Sequence, residues 1–322
     1  MRAVQVVRLD GPAAVEVRDV PEPQRAPDQV LVDVHAAGVN FPDVLQTKGL
    51  YQYRPDTPFT LGSEVAGTVR EAPADSALRP GDRVAAFTTT GAFADVVAAP
   101  AEHVLPLPDE VGFAAGACLP MNYLTAHFAL LVRGHLRKGQ KVLVQGAAGG
   151  VGTAVVQLAA ALGAHVVAVV STEAKAEVAR AAGAHDAVLA DGFKDAVKAL
   201  TGGAGVDIVV DPVGGDRFTD SLRCLAPEGR LLVVGFTAGE IPTVRVNRLL
   251  LGNIDVVGVG WGAYALGRPG YVAQQWAELE PHLRSGALDP LISATFPVED
   301  AAAALATIDE RRVTGKVVLR MR

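Results

Sequence analysis

An α/β protein with two bodies, a doubly wound parallel sheet and a smaller β-barrel, is predicted by three observations. Residues 141–170, KVLVQGAAGGVGTAVVQLAAALGAHVVAVV, read as a buried strand, a glycine turn, an amphipathic helix and a second buried strand. From there to residue 259, strand-like and helix-like runs alternate, the pattern of parallel strands joined by right-handed crossovers. Residues 1–120 instead carry short strand-like runs separated by turn signals, the spacing of a small, partly closed barrel.

Composition sets the bounds. At 322 residues the chain exceeds the length of about 250–300 at which single cores stop growing. Half of it is apolar, but aromatics make up only 5%, so the core must be built from Val, Leu and Ala. Lys plus Arg (29) against Asp plus Glu (35) leaves −6, with no basic block beyond pairs such as Arg311-Arg312. That argues against a dedicated nucleic-acid surface. Cys118 and Cys224 have no CxxC partner, so no disulfide framework is expected and a reducing cytoplasm fits. Met1-Arg2 leads straight into a strand pattern with no apolar leader. The longest apolar candidate, near 155–170, is broken by Gly163 and His165, short of the ~18–20 residues a membrane span needs. The expectation is a soluble cytoplasmic protein.

In chain order, strands are expected at 3–9, 15–20, 29–36, 64–70, 83–87 and 93–98, between turns such as Asp10-Gly11-Pro12 and Arg79-Pro80-Gly81-Asp82. A helix at 41–47 follows Asn40 as N-cap. A structural β-domain without chemistry would show the same pattern. Residues 112–133 turn helical, Pro120 dividing them into two helices near the domain border. Strands at 141–144, 165–170, 187–189, 206–210, 230–234 and 254–259 then alternate with helices at 151–162, 173–182, 191–200 and 215–225. The tail reads as helix 269–284, strand 291–296, helix 298–308 and strand 316–320. It is too short for a domain of its own and is expected to complete the barrel. The borders are thus 1–121 completed by 265–322, and 122–264, with a cleft between the bodies.

The glycine turn, Gly146 to Gly152, suits a dinucleotide. Gly149 and Gly150 let the backbone turn and approach a pyrophosphate, with Val151 opening the helix, and Gly152 lets the helix lie close on the strand. The helix N-terminus offers free N–H groups and a positive dipole end. In NAD-binding units an acidic residue about 20 positions past the turn bonds the ribose. Here the second strand ends Val169-Val170-Ser171-Thr172, and Lys175 follows. A hydroxyl in place of the acid, with a cation close behind, points to the 2′-phosphate of NADPH, although Glu173 offers a displaced ribose acceptor. The seven histidines are scattered with no i,i+3 or i,i+4 pair, two cysteines cannot build a four-cysteine zinc site, and no GxSxG elbow is present. Cys118 reads as a small buried hydrophobe.

Several segments together, AAGVNFPDVLQTKGLY (36–51), PFTLGSEVAG (58–67), VLVQGAAGGVG (142–152), GVDIVVDPVGG (205–215), GRLLVVGF (229–236) and TGKVVL (314–319), resemble the medium-chain dehydrogenase/reductase superfamily. Within it the chain resembles the zinc-free NADPH:quinone oxidoreductase, or zeta-crystallin-like, branch over essentially its whole length. The resemblance implies a GroES-like barrel plus a Rossmann domain. Zinc-bearing members carry Cys where Asn40 stands in Gly38-Val39-Asn40-Phe41-Pro42-Asp43, and His where Ser63 stands in Gly62-Ser63-Glu64, so no metal is expected. Without a Lewis acid to form an alkoxide, a quinone or enone already activated by conjugation is the better acceptor. The resemblance further implies that Asn40, Asp43 and Tyr51 surround the nicotinamide and acceptor as candidate catalytic residues. Thr125, Gly235, Phe236 and Lys316 are implied to hold the cofactor, and Lys175 its 2′-phosphate. A second tyrosine of some quinone reductases is Leu45 here.

Asn40 or Tyr51 is expected to donate a hydrogen bond to the oxyanion that develops on the acceptor. Two alternatives remain open at this level: a 2-enoyl thioester or alkenal reductase on the same fold, and a non-catalytic NADPH-binding protein. The apolar strand at 254–260 (IDVVGVG) would be an exposed edge in a monomer and is expected to pair into a homodimer.

Overall fold

A computed structural model describes all of residues 1–322. The chain forms two compact units, one of Met1–Asn122, Pro269–Ser285 and Pro290–Arg322, the other of Tyr123–Arg268 and Gly286–Asp289. Residues 265–268 and 286–289 therefore go with the dinucleotide-type unit instead of the barrel. Asp289 is tied there at both backbone atoms, its N–H donating to Gln157 Oε1 and its carbonyl accepting from Gln157 Nε2.

The first unit holds two sheets. A small antiparallel one runs Val15–Asp19, Arg2–Val6, Phe59–Thr60. The larger, seven-stranded sheet runs Ile292–Pro297, Lys316–Arg320, Gln29–Val39, Glu64–Glu71, Arg83–Phe87, Val104–Pro106, with Val96–Pro100 also paired to Gln29–Val39. Eleven residues long, Gln29–Val39 is the organising strand. It pairs at its start with Val96–Pro100, at its end with Lys316–Arg320, and along most of its length with Glu64–Glu71. The core of this unit is mostly valine and alanine, with Phe93 the largest apolar side chain fully buried in it. The strand expected at 93–98 begins later, at Val96. Phe93 N–H bonds Leu61 and its carbonyl accepts from Val4, so it crosses the small sheet before the strand can start.

The second unit is a six-stranded parallel sheet ordered Asp186–Leu189, His165–Val170, Lys141–Gln145, Val206–Asp211, Leu225–Val233, Asp255–Gly258. The order reverses between Lys141–Gln145 and Val206–Asp211, the switch point outside whose carboxyl ends ligands bind in open α/β sheets. The strands are near-continuous apolar runs because helices cover both faces. Pro120 stands at the first position of the helix Pro120–His127, where its missing N–H costs nothing. A π-helical turn, Phe128–Arg133, continues it, which periodicity at 3.6 does not reveal. A short helix, Asn247–Gly252, precedes the strand Asp255–Gly258 and has no buried residue. No helix is long and apolar enough to cross a membrane.

Candidate active site

Sheet register assembles the polar cluster of the first unit. Val39 lies opposite Val317, and Gly38 opposite Glu64, so Asn40, Glu64 and Lys316 meet at one end of three neighbouring strands. Lys316 Nζ donates to Asn40 Oδ1 at 2.6 Å, Glu64 Oε1 at 2.7 Å and the Val39 carbonyl at 3.3 Å. Glu64 Oε1 also accepts from Asn40 Nδ2 at 2.8 Å, and Oε2 from the Met121 backbone N–H at 2.8 Å. Glu64 is 0% exposed and Lys316 only 4%. Gly38 makes the space: a Cβ there would lie 2.5 Å from Glu64 Oε1 and 2.2 Å from the Ala117 carbonyl.

Asn40 opens the helix Phe41–Thr47, and its backbone N–H donates to Asp43 Oδ2 at 2.7 Å, the reciprocal half of a capping box. Ser63 Oγ approaches Asp43 Oδ1 at 3.5 Å. Asp43 is completely buried, and desolvation pushes its carboxyl up to about 7. The Glu64 charge adds to that rise, while the Asn40 N–H, the Lys316 ammonium and the Ser63 hydroxyl oppose it. Tyr51 is half-buried, and burial together with the Asp43 carboxylate raises its pKa, so the phenol stays protonated. Its hydroxyl makes no hydrogen bond within the chain, which leaves it free to donate.

Two expectations change here. Asn40 cannot be the oxyanion donor, because its amide N–H groups go to Glu64 Oε1 and, at 3.4 Å, the Gly38 carbonyl. Lys316 has no N–H to spare for a cofactor, since three acceptors take its three donors. Glu64 is a member of the cluster that motif spacing does not single out. Its legible signal was a carboxylate inside an apolar run, EVAG, which burial forces to find partners. Cys118 is buried, and desolvation pushes its thiol up to about 12; it has no reactive thiolate. Nowhere in the chain do three His, Cys, Asp or Glu side chains gather so as to hold a metal ion.

In the second unit the turn follows Lys141–Gln145 directly, and Gly149 caps the helix Gly150–Ala161. The N–H groups of Gly150, Val151 and Gly152, in the first turn of that helix, have no acceptor within it. Gly152 is demanded by packing: a Cβ would stand 2.2 Å from the Gly146 carbonyl. Gly149 is not, its Cβ meeting nothing nearer than 3.4 Å, so the space above it is open to a ligand. Ser171 is exposed just past the strand end, whereas the Thr172 hydroxyl is used to cap the helix Glu173–Ala181 by accepting from the Lys175 N–H. The Lys175 ammonium forms no ion pair. Thr125 lies half-buried on Pro120–His127, and Gly235 and Phe236 follow the strand Leu225–Val233. Asp211, which motif reading passed over, holds the neighbouring loop by accepting from the Val213 and Gly214 N–H groups. Its Asp-Pro sequence was the available sign of a turn.

The donor set fits an NADPH-like molecule: free helix N–H groups for a pyrophosphate, an uncrowded glycine, and an unpaired cation four residues past an exposed hydroxyl. Comparison with known proteins bears on the same point. Residues 26–109 match the alcohol dehydrogenase GroES-like domain family, and residues 150–280 the zinc-binding dehydrogenase family. The latter match lies downstream of Asn40 and Ser63. Quinone oxidoreductase-like protein 2 of Bos taurus is 36% identical over 325 residues, covering 100% of this chain and 93% of that protein. A probable oxidoreductase from Mycobacterium abscessus superposes with a TM-score of 0.93 at 43% identity, covering 100% and 99% of the two chains. A mycobacterial protein solved in complex with NADPH gives a TM-score of 0.92 at 34% identity over 100% of both.

Proposed function

The chain belongs to the medium-chain dehydrogenase/reductase superfamily, in its quinone oxidoreductase branch, and on that premise we propose that it transfers hydride from NADPH to a quinone or similar conjugated carbonyl. The observation that carries this reading is the open glycine turn at the switch point, with the unpaired Lys175 beyond it. Gly149, Gly150, Val151 and Gly152 hold the pyrophosphate through backbone N–H groups, and Ser171 and Lys175 hold the 2′-phosphate. Thr125, Gly235 and Phe236 complete the cofactor's seat. When bound, NADPH supplies the hydride.

The residues of the barrel unit handle the acceptor. Tyr51, kept protonated by burial and by Asp43, donates to the oxygen on which negative charge develops, stabilising that charge in place of a Lewis acid. Asp43 holds the start of Phe41–Thr47 and keeps the phenol a weak acid. Asn40 and Ser63, at the positions where zinc-bearing relatives place ligands, here support Asp43 instead. The reaction we propose is therefore metal-free.

The sheet ends at Asp255–Gly258, and the preceding helix exposes Leu250 and Leu251 at 76% and 79%. An unpaired edge beside exposed leucines supports pairing with a second copy of the chain. Two buried free cysteines support a reducing, cytoplasmic setting.

The decisive experiment follows NADPH oxidation against 1,4-benzoquinones, enals and crotonyl thioesters, with zinc measured in the same preparation. Turnover with quinones or enones and no stoichiometric metal is expected. Tight NADPH binding without turnover of any acceptor would show a binding protein instead, and preference for the thioester an enoyl thioester reductase.

A further inference from the structure

We propose that Lys316 is a positioning residue of the acceptor site: its buried ammonium locks the Asn40 carboxamide and the Glu64 carboxylate into one arrangement, and it does not contact the cofactor. This rests on the hydride-transfer reading given above. Lysine is almost never fully buried unless paired, and withdrawing an ammonium and a carboxylate from water is so costly that an apolar pair of equal volume often serves stability as well or better. Stability alone therefore gives a poor account of this pair.

Its geometry gives a better one. Every N–H of Lys316 has an acceptor, and both oxygens of Glu64 have donors. Between them sits Asn40, its Oδ1 facing the ammonium and its Nδ2 facing the carboxylate. The two ends of a carboxamide are otherwise nearly interchangeable in shape, and charges of opposite sign on either side leave only one orientation. Asn40 in turn holds Asp43 through its backbone N–H, and the Asp43 charge acts on Tyr51. Hydrogen bonds thus run from Lys316 through Asn40 to Asp43, the last step to Tyr51 is electrostatic, and none of it leaves the barrel unit.

The test compares K316M, K316R and the double variant E64Q/K316M with wild type. The readouts are the NADPH dissociation constant by fluorescence titration, kcat and acceptor KM, the thermal midpoint, and hydrogen exchange of the Asn40 side-chain amide by NMR. For K316M the NADPH dissociation constant should stay within about twofold of wild type, while kcat falls by roughly tenfold or more and the Asn40 amide loses its protection. K316R should recover part of both losses, because a guanidinium can still bridge the two oxygens. The double variant should regain thermal stability, having no unpaired buried charge, without regaining kcat. Weaker NADPH binding in K316M at unchanged saturating kcat would overturn the proposal in favour of a cofactor contact. Full recovery of kcat in the double variant would overturn it in favour of a merely structural pair. A wild-type protein that reduces no conjugated carbonyl sinks the hydride-transfer reading instead. In that case the Asn40 exchange and the NADPH affinity still decide what Lys316 does.

Discussion

Asp43 lies on the helix Phe41–Thr47 and Tyr51 in the segment that follows it, and the two face opposite demands. Tyr51 keeps a free hydroxyl, so Tyr51→Phe should lower kcat by about 10²-fold, the usual cost of one oxyanion donor, with NADPH affinity unchanged in a titration. Asp43 has a pKa of about 7 in the fold against an ordinary 3.8, chiefly through burial, so the folded chain binds this proton more tightly than the unfolded one. Its contribution to stability is complete below the lower value and is lost as pH rises through about 7. Urea unfolding across that window should show stability falling with pH, and Asp43→Asn should flatten the fall; an unchanged slope would exclude the assignment. In the second unit Lys175 has no carboxylate partner. Lys175→Glu should weaken NADPH binding by roughly tenfold or more, since a charged hydrogen bond contributes about 1.5–3 kcal/mol, while leaving NADH affinity nearly unaltered.

The glycine turn and the strand Gln29–Val39 position these side chains in different ways. The turn is a local device. Gly152 lets the helix Gly150–Ala161 start against the Gly146 carbonyl, so even Gly152→Ala must push the helix away from the sheet. Overpacking of this kind costs about 1–3 kcal/mol, and a lowered thermal midpoint together with weaker NADPH binding is expected from differential scanning fluorimetry and titration. The strand is a long-range device. Its last residues pair with a segment nearly three hundred positions away, and only that register carries Lys316 to Asn40. The turn was legible in the sequence because its glycines, flanking strands and helix are contiguous. The ion pair was not, because no local pattern relates residues 64 and 316.

At the scale of the whole molecule, the proposed pairing of two chains rests on the edge strand Asp255–Gly258. Placing a lysine there, as in Val256→Lys, puts charge on the edge in the manner by which monomeric proteins block strand addition. Sedimentation should show two chains per particle in wild type and one in the variant; a monomeric wild type would remove the basis for a dimer. The sequence by itself determined the two fold types, the parallel order of alternating elements, the glycine turn that opens a helix and the choice of cofactor. All of these follow from periodicity and from residues close together in the chain. Tertiary structure alone decided that Asn40 has no free N–H, that Lys316 is spent on Asn40, Glu64 and the Val39 carbonyl, and that the Tyr51 hydroxyl has no partner within the chain. A hydrogen-bonding group can be called available only when all of its partners are known, and burial draws those partners from distant strands.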